Sequence, residues 1–123
     1  MTMDRKALGA WGEQTAAQYL QEKGYAILAR NWKTKLGELD IVAKDRATIV
    51  CVEVKTRATD RYGYAEESVT REKQRTLRRL AEQFVRATHQ PSIRYRIDVI
   101  AIMPNTIGGP PEIRHIKDAV RDI

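Results

Sequence analysis

Asp40, Glu53 and Lys55 are the residues of this 123-residue chain whose types and spacing could do chemistry. Glu53 and Lys55 are set into IVCVEVKTR (Ile49 to Arg57), a run of β-branched residues that reads as a buried strand. Glu and Lys are seldom fully buried unless paired, so two of them in such a strand require a reason. Side chains alternate faces along a strand, which puts Glu53 and Lys55 on one face and Val50, Val52 and Val54 on the other. The preceding GELDIVAKD alternates likewise, with Leu39, Ile41 and Ala43 apolar and Glu38 and Asp40 opposite them. If the two apolar sets share one side of a sheet, Glu38, Asp40, Glu53 and Lys55 gather on the other. Opposed residues on antiparallel neighbours lie about 5 Å apart at Cβ. Pairing Asp40 with Glu53 or Cys51 would let two carboxylates converge on one cation, whereas pairing it with Val52 would separate them.

Three carboxylates beside one amine repel one another unless a counterion is present, and a divalent cation is the simplest one. Mg²⁺ fits, because it takes oxygen ligands and leaves coordination positions for water and phosphate oxygens; Mn²⁺ is an alternative. The matching chemistry is phosphodiester hydrolysis, with Lys55 orienting the attacking water or stabilising developing charge. The competing reading is a solvated face on which Glu53 and Lys55 form an ordinary ion pair.

The elements that must position these residues follow from periodicity. Leu8, Trp11, Thr15, Ala16, Tyr19 and Leu20 recur at helical spacing within residues 4–23, and Gly24 is a stop signal. Strands are expected over 25–32, 37–44 and 48–56, forming an antiparallel meander. A polar, mobile stretch is expected from Arg57 to Glu67. Thr70 then caps a second helix carrying Leu77, Leu80, Ala81, Phe84 and Val85 on one face. A fourth strand spans 94–103, and a short fifth, 112–116, precedes a frayed tail. The order α-β-β-β-α-β indicates a single α/β domain over residues 1–123, with helices packed on a mixed sheet.

Composition narrows the partners. Lys and Arg number 22 against 16 Asp and Glu, a net charge of +6, which favours an anionic partner. No apolar run approaches the roughly 18 residues of a membrane span, and the opening residues do not resemble a signal peptide, so a soluble cytoplasmic protein is expected. Cys51 has no second Cys to pair with and reads as a buried small residue. His89 and His115 lack zinc spacing, and there is no nucleophile elbow or Gly-rich phosphate loop. Chemistry is left to carboxylates and amines.

From Arg71 to Arg79 there are five basic residues and one acidic, with Arg57 and Arg61 in the stretch before them. Arg57, Arg71, Lys73, Gln74, Arg75 and Arg78 are the candidates for tracking a phosphate backbone. Lys73 and Gln74 continue the Leu77 stripe toward the helix start and so could point into the site. Arg30, Trp32, Tyr62 and Tyr64 could stack on bases, although Trp32 reads better as core. Asp98 reads as a structural carboxylate paired with an Arg.

GELDIVAKD followed by TIVCVEVKTR resembles the PD-(D/E)xK nuclease motif, and specifically the YraN family of small bacterial proteins related in pattern to archaeal Holliday-junction resolvases. GAWGEQTAAQYLQEKGYAILARNWK, ESVTREKQRTLRRLA and RYRIDVIAI resemble that family's remaining elements in the same order. The resemblance implies a restriction-endonuclease-like core in which Asp40 and Glu53 bind metal, the Val54 carbonyl and Glu13 contribute further ligands, and Lys55 is the catalytic lysine. The first motif here is Glu-Leu-Asp without a preceding proline. On the residues alone, Glu13 lies at the edge of the first helix's apolar arc, among Gly9, Gly12, Ala16 and Ala17, whose small side chains permit close approach to the sheet.

Two functions from different classes follow. One is a Mg²⁺-dependent endonuclease acting on DNA in preference to RNA, with branched or structured DNA as the substrate the resemblance implies. A two-fold homodimer would suit symmetric cutting. The other is a nucleic-acid-binding or partner-docking module that keeps the fold without turnover.

Overall fold

The computed structural model describes residues 4–57, 69–90, 92–105 and 107–120. The stretch expected to be mobile, with Arg61, Tyr62 and Tyr64, lies outside the described residues save for Arg57. The elements are α1 (Arg5–Glu22), β1 (Ala26–Thr34), β2 (Gly37–Asp45), β3 (Thr48–Thr56), α2 (Arg71–Ala87), β4 (Arg94–Met103) and β5 (Glu112–Ile116). Local chemistry sets the helix boundaries. The Asp4 carboxylate accepts from the Ala7 N–H at 2.7 Å, and Gly24 takes the left-handed φ of 91° that ends α1. The Thr70 hydroxyl accepts from the Lys73 N–H at 3.1 Å to begin α2.

The five strands form one sheet in sequence order. β1, β2 and β3 are the expected antiparallel meander, β4 runs parallel to β3, and β5 is antiparallel to β4. Only the parallel step requires a long crossover, and α2 supplies it.

The expectation of one apolar face and one charged face needs correction. Every residue of β3 from Ile49 to Glu53 is buried, because each face of the sheet carries a helix. Ile49, Cys51, Ile97 and Val99 pack with Leu77, Leu80 and Ala81 of α2. Val50, Val52, Ile100 and Ile102 pack with Ala16, Ala17 and Leu20 of α1. A strand covered on both sides has to be apolar at both parities, which weakens any one-face reading.

Alternation also breaks within β2. Leu39 belongs to the α2-side core while Ile41 and Ala43 belong to the α1 side, although all three occupy odd positions. The break falls at Asp40. Across from it on β1, between the Trp32–Leu39 and Arg30–Ile41 pairs, Asn31 holds a left-handed φ of 52°. Trp32 is half-buried against the α2-side core, edge-on to Phe84 at 5.2 Å between ring centroids.

The tail is not frayed over its described part. The Ala119 N–H donates to the Ile97 carbonyl at 2.7 Å, and Val120 is buried against the α2-side core.

Candidate functional site

β2 and β3 share a ladder from Asp45–Thr48 to Ile41–Val52 and then part. One step further in that register stands Asp40 opposite Glu53. There the strand-to-strand hydrogen bond is replaced: the Asp40 carboxylate accepts from the Val54 N–H at 2.8 Å. The broken alternation at Asp40 thus turns its side chain into the opening between the two strands. The carboxylate is left close to both faces of the sheet.

On the α1 face, Glu13 comes down beside it. That approach depends on Gly12, since a Cβ there would overlap the Thr56 hydroxyl and sit 2.9 Å from both Thr56 methyl and Cβ carbons. One oxygen each from Glu13, Glu38 and Asp40 lie within 4.8 Å of one another, and all three residues are half-buried. The Arg30 guanidinium donates to the Gln14 amide oxygen at 2.8 Å, tying β1 to the same turn of α1.

On the α2 face, Glu53 is 5% exposed, so its charge needs an answer. Lys73, from the first turn of α2, brings its ammonium to 3.4 Å from Glu53 Oε2. That oxygen has no hydrogen-bond partner among the described residues. The ion pair is therefore one of proximity rather than of a well-aligned bond. Lys55 follows on the face that parity gives Glu53, half-buried and in no ion pair among the described residues.

The electrostatic consequence falls on Asp40, whose carboxyl is pushed up to about 8. Burial is the largest cause, followed by the neighbouring Glu53 carboxylate, with Glu13 adding less; the Val54 N–H works in the opposite direction. Three or four carboxylates gathered in so small a space keep a proton at neutral pH unless a cation takes its place. The donor set, all carboxylate oxygens, is that of a hard divalent ion.

Of the residues singled out from the sequence, Glu13 and Asp40 are brought together, Glu53 stands opposite Asp40 outside that tight group, and Val54 is bonded to Asp40. Glu38 had been grouped with these charges by alternation but given no role, and its two-residue spacing from Asp40 was the available signal. Gln74 is engaged elsewhere: its amide nitrogen donates to the Val69 carbonyl at 2.9 Å. Arg71 and Arg75 are exposed, and Arg57 and Arg78 are half-buried. Burial raises the Cys51 thiol to about 12, with the Asp98 charge adding to it, so Cys51 is an inert core residue.

Asp98, fully buried, pairs with Arg96 at 3.0 Å and with His115 at 2.7 Å, and it accepts from the Asp118 N–H at 2.9 Å. Asp98 stands two strands from β2, level with Val52 and Ile41 in the register, and its network ties β4, β5 and the tail together.

A mixed five-stranded sheet between two helices, in the order α-β-β-β-α-β-β, is the architecture of a restriction-endonuclease-like core. The model of the uncharacterised protein family UPF0102 matches residues 12–102, and the chain belongs to that family. A UPF0102 protein of Caldicellulosiruptor saccharolyticus is 44% identical over 117 residues, covering 95% of this chain and 99% of the relative. One from Herpetosiphon aurantiacus is 43% identical over 121 residues, covering 95% and 96%. Another, from Rhodococcus opacus, is 46% identical over 113 residues, covering 92% and 95%. No helix among the described residues is long and apolar enough to cross a membrane.

Proposed function

We propose that this protein is a Mg²⁺-dependent endonuclease that hydrolyses phosphodiester bonds in DNA, with branched or structured DNA as its substrate. The observation that carries the reading is the convergence of Glu13, Glu38 and Asp40 within 4.8 Å at the point where β2 and β3 part. Glu53 extends that group on its far side, standing opposite Asp40 in the register and raising its carboxyl. Mg²⁺, or Mn²⁺ in its place, would be held by Asp40 with Glu13, Glu38 or Glu53 and the Val54 carbonyl. Bound there, the ion polarises a phosphate oxygen and lowers the pKa of a water.

The chain's own residues supply the rest. Val54 N–H fixes the Asp40 carboxylate, so the ligand is oriented before a cation arrives. Lys55, on the same strand face as Glu53 by parity, is assigned the role of orienting the attacking water or stabilising charge developing on the phosphate. Arg57, Arg71, Arg75 and Arg78 supply positive charge around the entrance to α2, where a phosphate backbone would be drawn in by counterion release. Lys73 holds Glu53 in place, and its ammonium remains within reach of any phosphate docked beside that carboxylate.

One observation favours a second reading, a nucleic-acid-binding or partner-docking module without turnover. Glu53 lies outside the tight group of three carboxylates, and Lys73 already answers its charge. Incubation with junctions, flaps, duplexes and single strands, in Mg²⁺, in Mn²⁺ and in EDTA, separates the two. The nuclease reading expects metal-dependent cleavage of at least one substrate that Asp40→Ala abolishes. Cleavage unchanged in Asp40→Ala would refute the site. Salt-sensitive binding without cleavage in either metal would favour the docking module.

A further inference from the structure

Away from the carboxylates, where α1 ends and β2 turns into β3, a polar pocket of about 490 Å³ opens beside Tyr19, Tyr25 and His115. It is a separate feature. Tyr19 lies six residues beyond Glu13 on α1, roughly 9 Å along the helix axis. Asp45 lies five residues beyond Asp40 on β2, roughly 17 Å along the strand.

The pocket floor is fixed by hydrogen bonds and ion pairs among its own residues. Asp98 Oδ2 takes a hydrogen bond from His115 Nε2 at 2.7 Å, which leaves Nδ1 to accept the Tyr19 hydroxyl at 3.1 Å. Arg96 answers both nearby carboxylates, Asp98 at 3.0 Å and Asp45 at 3.4 Å, and donates to the Tyr25 hydroxyl at 2.8 Å. Arg96 thereby offsets one of the two carboxylate charges and bonds to both.

The rim is not neutralised. Lys23, Arg46 and Lys117 line the same pocket, are exposed, and have no carboxylate partner among the described residues. Lys23 is held at the mouth, 5.8 Å over the Tyr19 ring. It also offsets the negative carbonyl end of α1, which would otherwise repel an anion. Arg46 occupies a left-handed position, φ 57°, in the two-residue β2–β3 turn, where Gly, Asn or Asp is the usual choice.

We propose that this pocket is a second anion site that binds a phosphate group, held by Lys23, Arg46 and Lys117 above the Tyr19–His115–Asp98 floor. Three cations around one concavity suit a compact, multiply charged tetrahedral anion better than a single carboxylate, and the Arg46 fork can engage two of its oxygens. The phosphate could come from a nucleic-acid backbone or from a free phosphate compound.

The test titrates the full chain in EDTA with inorganic phosphate, with adenosine monophosphate and with a short single-stranded DNA, following His115 and backbone resonances by NMR. Wild type should bind inorganic phosphate saturably at this pocket, and the double variant Arg46→Asn, Lys117→Gln should weaken it about tenfold or more. Asparagine suits the left-handed turn, so the variant keeps the fold while losing the charge. Asp40→Asn should retain phosphate binding here, which keeps this test independent of whether the carboxylate site cleaves DNA. A parallel loss for the oligonucleotide assigns the pocket to backbone phosphate, and a loss confined to phosphate and the nucleotide assigns it to a free phosphate compound. No saturable binding, or equal binding by the double variant, overturns the proposal.

Discussion

Replacing Asp40 with Asn should make the metal-free protein more stable, although it removes the central ligand. The Asp40 carboxyl ordinarily titrates at 3.8 and is pushed up to about 8 in the fold by burial and by Glu53. The fold therefore favours its neutral form. The stabilisation of the acid form is fully present below about pH 4 and is lost as pH rises toward 8, above which the dependence flattens. At about 1.4 kcal/mol per pH unit, the penalty at pH 7 is on the order of 4 kcal/mol. Asn is neutral throughout, nearly isosteric, and its amide oxygen can still accept from the Val54 N–H. Urea unfolding in EDTA should find Asp40→Asn more stable than wild type by on the order of 2–4 kcal/mol at pH 7, with the gap growing from pH 5 to 8. Added Mg²⁺ or Mn²⁺ should close the gap, since an ion at a hundred times its Kd stabilises by about 2.7 kcal/mol and has no such site in the variant. A variant less stable than wild type in EDTA, or a gap independent of pH, would refute the account of the carboxylate cluster.

Three further substitutions probe the scaffold. Gly12→Ala, driving a methyl into Thr56, should destabilise by about 1–3 kcal/mol and weaken Mn²⁺ binding by displacing Glu13, as calorimetry would show. Asp98→Ala should be the most damaging, at about 3–5 kcal/mol in urea unfolding, because it leaves the Arg96 charge and the His115 donor without their buried partner. Thr70→Ala should remove the cap of α2 at a cost of about 1 kcal/mol and loosen Lys73 from Glu53, seen as faster amide exchange in the first turn of α2.

Much of this fold was legible because period and punctuation agree in it. The third and fourth strands were placed within their observed limits, and Asp4, Gly24 and Thr70 bound the helices as their chemistry requires. What the pattern hid was the second buried face. Alternation assigned one apolar face to β3, and Ile49, Cys51, Ile97 and Val99 form a second one that α2 covers. Asp40 was legible as a type and a spacing, but its turn into the gap between β2 and β3 coincides with Asn31 across from it on β1, a non-glycine at positive φ that no periodicity reveals. Lys73 reaching Glu53 and the rim of Lys23, Arg46 and Lys117 are products of tertiary packing between elements far apart in sequence.

The central claim is tested most directly by single-turnover cleavage of a labelled four-way DNA junction in Mn²⁺ by wild type and by Lys55→Ala at matched protein occupancy. The account predicts junction cleavage by wild type, slowed about 10²-fold or more in the variant while binding is unchanged. Equal rates for the two proteins, or no cleavage by wild type at saturating metal and substrate, would contradict it.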